Sequence, residues 1–158
     1  MKRMLIVLVL ALTGLLAGAT PASADVTFFL GFSPTPESRP TRGFAGGINF
    51  LLFGFEFDYA NTSADEAAGA PNLKTGMING LIMTPTKTSL YLTVGGGFYK
   101  ETLTGSSVTS FGTNIGGGVK ISLMGPVQIR VDYRIFNLRG DARFSNPQRF
   151  YTGLNLRF

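Results

Sequence analysis

Three carboxylates and three basic side chains hold most of the chemistry available to this chain: Glu56, Asp58 and Asp132, with Lys120, Arg130 and Arg134. Paired carboxylates suit general acid/base work, and a cluster of them suits a hard cation. The 158 residues include no His and no Cys. That removes Ser-His and Cys-His nucleophilic sites and the imidazole and thiolate metal ligands. Glycine triplets at 95–97 and 116–118 lack the strand-loop-helix setting of a phosphate-binding loop. The sequence therefore offers no catalytic residue, no metal site and no cofactor-binding motif. Its remaining chemistry is electrostatic: opposite charges that pair if the fold brings them to one side.

The elements that must position these charges are strands. In 127–136, VQIRVDYRIF, one parity carries Val127, Ile129, Val131, Tyr133 and Ile135, and the other Gln128, Arg130, Asp132 and Arg134. A period of two places the two sets on opposite faces of a strand. Similar segments fall at 26–33, 43–50, 53–60, 73–83, 89–99, 111–121 and 148–158, and no stretch between them reads as a helix. Alternation is weakest at 73–83, where Ile78 and Ile82 share the parity of Lys74, Gly76 and Gly80. Connections alternate between longer ones (34–42, 61–72, 100–110, 137–147) and short ones (51–52, 84–88, 122–126). An even strand number with short turns on one side and long loops on the other is the pattern of a transmembrane barrel.

The polar parity carries Glu56, Asp58, Lys74, Lys120, Arg130, Asp132, Arg134, Arg149 and Arg157 together with many glycines, among them Gly95, Gly97, Gly116 and Gly118. Glycine weakens a strand, so the solvent face of a soluble sheet gains nothing from it. The interior of an eight-stranded barrel does need it, because that lumen holds only small groups beside a few long ones. The polar face is therefore expected inside and the apolar face against lipid, with aromatic girdles near both strand ends. Glu56 and Arg130 are each the fourth residue of a strand rising from the turn side. They are expected at one depth, as part of a lumenal ion-pair network of Glu56, Asp58, Lys120, Arg130, Asp132 and Arg134.

The N-terminus sets the compartment. Met1-Lys2-Arg3 precedes an apolar run to Ala17, and Pro21 then leads into Ala22-Ser23-Ala24. This is the layout of a secretory signal peptide, too short to span as a helix. The expected division is a signal peptide at 1–24 and one barrel domain at 25–158. Without the two leader cations the formal net charge falls from +5 to +3, and no basic run marks a nucleic-acid surface.

The order and spacing of YLTVGGGF (91–98), GGGVKI (116–121), VDYR (131–134) and the outward row Phe150, Thr152, Leu154, Leu156, Phe158 resemble the small eight-stranded outer-membrane barrel family typified by the OmpA transmembrane domain and OmpX. The resemblance covers the whole of 25–158. It implies an all-β, eight-stranded, antiparallel up-and-down transmembrane β-barrel in the cell outer membrane, without enzymatic activity and as a monomer. It also implies that Phe150, Leu154, Leu156 and Phe158 form the signal read by the barrel assembly machinery. No peptidoglycan-binding segment follows the barrel, so tethering to the cell wall is not implied. Outer-membrane lipid is the expected partner, and nucleic acid is not. Arg39, Arg42, Lys100, Arg139 and Arg143, near the loop-side rim, are candidate contacts for lipopolysaccharide phosphates. Two other readings stand beside this one: a narrow pore for small solutes, and a soluble periplasmic carrier with a lipocalin-like cup.

Overall fold

The computed structural model describes residues 22–158. Apart from its last three positions, the expected signal peptide lies outside the described residues. Eight strands follow in order: β1 (Ser23–Ser33), β2 (Arg39–Phe50), β3 (Phe53–Thr62), β4 (Asn72–Met83), β5 (Thr88–Leu103), β6 (Ser106–Met124), β7 (Val127–Leu138) and β8 (Gln148–Arg157). Each pairs antiparallel with the next, and β1 pairs with β8 from Asp25↔Arg157 to Phe32↔Phe150, so the sheet closes on itself. Closure leaves no unpaired sheet edge along the wall, which is the condition for a β-structure to cross lipid.

The two faces separate as charge and hydropathy require. Phe28, Leu30, Phe55, Phe57, Leu92, Val94, Phe98 and Ile115 are exposed on the outer wall, while Arg130, Arg134, Asp58 and Asp132 have no accessible surface. A soluble protein does the reverse. Near the loop-side ends Phe32 meets Phe150, Phe44 meets Tyr59, and Phe98 meets Phe111, with ring centroids 5.5–6.0 Å apart. These pairs form the outer girdle, and exposed Phe50 and Phe53 flank the opposite end.

Three expectations change. The segment expected as a loop at 100–110 is instead the top of a tall hairpin, closed by Thr104-Gly105 alone, with φ of 45° and 85°. Two consecutive positive φ values match the twist of the flanking strands, so two residues close the turn. Ser and Thr read as loop by composition, yet pairing continues through Leu103↔Ser106. At the first loop, β2 begins at Arg39, leaving only 34–38 as connection. Finally, β4 is inverted. Leu73, Thr75, Met77, Asn79 and Leu81 are buried inside, while Lys74, Ile78 and Ile82 are exposed outside. Both parities of this strand carry large apolar groups, so hydropathy could not choose between them. Cross-strand partners share a face, and the register Asp58↔Met77↔Gly97 and Glu56↔Asn79↔Gly95 decides the matter.

Candidate functional site

The charged filling sits mid-barrel and is built from β3, β7 and β8. Glu56 and Asp58 point in from β3, Arg130, Asp132 and Arg134 from β7, and Arg149 from β8. Arg130 forks onto Glu56, with Nη2–Oε1 at 3.1 Å and a second, shorter contact from Nη1 to Oε2, and its Nη2 also donates to Asp132 at 3.1 Å. Arg134 reaches all three acids. Its Nε donates to Asp132 at 2.9 Å, Nη2 to Glu56 at 2.8 Å, and Nη1 to Asp58. Arg149 donates to Asp58 at 3.0 Å and to Thr75 at 3.2 Å. Three guanidinium groups against three carboxylates make the cluster neutral, and planar forks suit carboxylates better than ammonium points would.

Aromatic rings finish the filling. Tyr91 Oη donates to Asp132 and accepts from Arg130 Nε at 2.7 Å, and Arg130 lies 4.8 Å from the Tyr91 ring centroid. Arg149 lies over the Phe136 and Phe29 rings at 4.9 and 5.4 Å. On the loop side an apolar layer of Leu73, Met77, Tyr99, Phe136 and Leu138 closes the lumen. Glycines create the room: a Cβ at Gly116 would stand 2.2 Å from the Tyr133 carbonyl, and one at Gly118 2.1 Å from the Val131 carbonyl. Only hydrogen fits there, beside the strand that carries the arginines.

Of the expected network, Glu56, Asp58, Arg130, Asp132 and Arg134 come together. Lys120 does not join their carboxylates. It bonds Asp25 at 2.5 Å on the turn side, where Asn49 also donates to Asp25 at 2.9 Å. Asp25 was legible by parity with Thr27 and Phe29, but it stood just before the first expected strand. Arg149 was legible on the inward parity, and its pairing with Asp58 required the register around β8 and β1. Arg39 departs from the rim set. Its inward position in β2 buries it, and it caps the barrel mouth by donating to the carbonyls of Ser63 and Thr35, both at 3.2 Å, and of Pro71. It therefore presents no guanidinium to lipid. Arg42 and Lys100 point outward, and Arg139 and Arg143 are exposed on the loop between β7 and β8. Phe150, Leu154 and Phe158 lie exposed on the outer wall, with Leu156 partly covered between them.

Every carboxylate of the cluster is engaged by a guanidinium, so the arrangement neither leaves an acid poised for proton transfer nor forms an open cation cradle. A closed sheet with this charged filling and an apolar outer wall has the architecture of the small eight-stranded outer-membrane β-barrels. The N-terminal β-barrel domain of Pseudomonas aeruginosa OprF superposes with a TM-score of 0.67 at 14% identity, covering 86% of this chain and 97% of that one. A major outer membrane protein from Thermus thermophilus gives 0.65 at 12% identity, over 88% and 100%. Neisserial surface protein A gives 0.55 at 18% identity, over 89% and 97%. These likenesses establish the eight-stranded barrel fold. No protein-family model matches the chain, and no curated protein matches it in sequence.

Proposed function

We propose that this protein is a non-enzymatic outer-membrane barrel with a closed lumen, serving the envelope as a structural element or through its loop-side surface, as a monomer. The observation that carries this reading is Arg130 and Arg134, each without accessible surface, laid across the lumen and locked to three carboxylates. Eight strands leave a lumen about wide enough for side chains to fill. The pore reading needs that space open, and the carrier reading needs it apolar. Planar-bilayer recordings of the refolded protein should show no steady open state. Glu56→Gln/Asp58→Asn should loosen the filling and introduce intermittent conductance. Steady conductance in the unaltered protein, unchanged in the double variant, would favour transport and overturn this reading.

The outward C-terminal row supports delivery to the assembly machinery. Phe158 is 73% exposed and closes the barrel seam by exchanging backbone hydrogen bonds with Ala24, at 2.8 and 3.2 Å. Deleting Phe158 should slow insertion into assembly-competent membranes severalfold, whereas Arg157→Lys should leave it unchanged. Normal insertion of the truncated chain would sink this assignment.

A further inference from the structure

The inversion of β4 moves Lys74 from the lumen to the outer wall, where it faces Lys100 directly across the β4–β5 ladder. The same row continues through Asn61 to Arg42. Among the described strand residues, Arg42, Lys74 and Lys100 are the charged side chains on the outward face, while the strand acids Asp25, Glu56, Asp58, Glu101 and Asp132 all turn inward and are buried. Like charges directly opposite on neighbouring strands are destabilising, and none of these three cations has an ion-pair partner among the described residues. The row also lies where the wall changes from apolar to polar, one outward position beyond Phe44, Tyr59 and Phe98 on β2, β3 and β5. Long basic side chains there reach the headgroup level from an apolar stem.

Beside and below Arg42 the outer wall holds an open groove of about 870 Å³, with Leu30 and Asn61 in register with Arg42 and Phe28, Phe44 and Leu154 one outward position nearer the turn side. A cationic row joined to an apolar groove complements a phosphorylated amphiphile, with acyl chain below and phosphate above. At about 4.8 Å per strand, Arg42 stands about 10 Å from Lys74 and about 15 Å from Lys100 along the row. A disaccharide headgroup with a phosphate at each end bridges such a row, whereas a single phosphodiester meets one end of it. The loop side is the outer leaflet by the short-turn and long-loop rule. We infer that Arg42, Lys74 and Lys100 form a binding site for the phosphates of an outer-leaflet lipopolysaccharide molecule, with its acyl region against the groove. The inference deepens the proposed function and rests on its outer-membrane placement.

The test refolds the full barrel into phosphatidylcholine nanodiscs containing lipopolysaccharide, its enzymatically dephosphorylated form, or phosphatidylglycerol, and measures lipid retained after detergent extraction by native mass spectrometry. Lipopolysaccharide should be retained, and the dephosphorylated form and phosphatidylglycerol should be retained about tenfold less, the scale of one or two lost charge-assisted contacts. Lys74→Gln/Lys100→Gln should lose a similar factor, Arg42→Gln less, and Lys87→Gln, on an exposed turn at the opposite end of the barrel, nothing. Faster migration of unheated samples on gels verifies that each variant is folded, and Lys100→Gln alone serves if the double variant does not fold. Undiminished retention by folded Lys74→Gln/Lys100→Gln overturns the site. Equal retention of the dephosphorylated form overturns the role of phosphate, and equal retention of phosphatidylglycerol overturns the assignment to lipopolysaccharide. Failure to enter any nanodisc would instead contradict the membrane-barrel reading itself.

Discussion

Replacing Arg134 by methionine should lower the unfolding free energy of the refolded barrel by about 3–5 kcal/mol, the cost of stranding a buried charge. Among the described residues, Arg134 is the one side chain that donates to Glu56, Asp58 and Asp132 together, and it has no accessible surface. Methionine fills much of the volume, so the loss reports charge and hydrogen bonding more than a cavity. Arg134→Lys should recover little, because one ammonium cannot reach three carboxylates in the geometry of the fork. Lys120→Met is the control, since it strands only Asp25, which keeps its bond from Asn49 and lines the turn-side vestibule. Urea unfolding in lipid vesicles measures all three. Equal losses for Arg134→Met and Lys120→Met would mean that water reaches the cluster and that the lumen is less filled than its burial implies.

Ile78→Arg should cost about 2–4 kcal/mol, because it sets a charge near the bilayer midplane on the lipid face. Ile78 is 68% exposed at the middle of β4, with Phe57 and Gly96 beside it in register. The parity can be read directly, since the chain has no Trp. A single Trp introduced by Ile78→Trp should be quenched strongly by lipids brominated on their acyl chains, and one introduced by Leu81→Trp should not. Reversed quenching would restore Lys74 to the lumen and remove the cationic row with it.

How far the sequence could be read depended on how unequal the two parities of a strand are. On β7 every polar residue from Gln128 to Arg134 lies on one parity, and no register shift can bury the apolar set without exposing Arg130, Asp132 and Arg134 to lipid. On β4 the two parities differ little in hydropathy, and the strand's orientation was set by its neighbours: Asn79 donates to Asp58 and accepts from Asn114, while Gly95 and Gly97 leave the space that Asn79 and Met77 occupy. The tall β5–β6 hairpin was hidden for a related reason, because its Ser and Thr residues suit a loop or a solvent-exposed strand equally, and the two-residue turn made the difference.

Local alternation and the exclusion of charge from lipid were enough to give the eight strands, the closed barrel they imply and the inward direction of Glu56, Asp58, Arg130, Asp132 and Arg134. Beyond the shared depth of Glu56 and Arg130, the pairing of the charges came from the assembled barrel. Arg149 with Asp58, Lys120 with Asp25, Arg39 with the loop carbonyls and Lys74 against Lys100 are contacts between different strands or between loop and strand. They depend on register around a closed ring, where each strand's stagger is fixed by all the others and no local pattern records it.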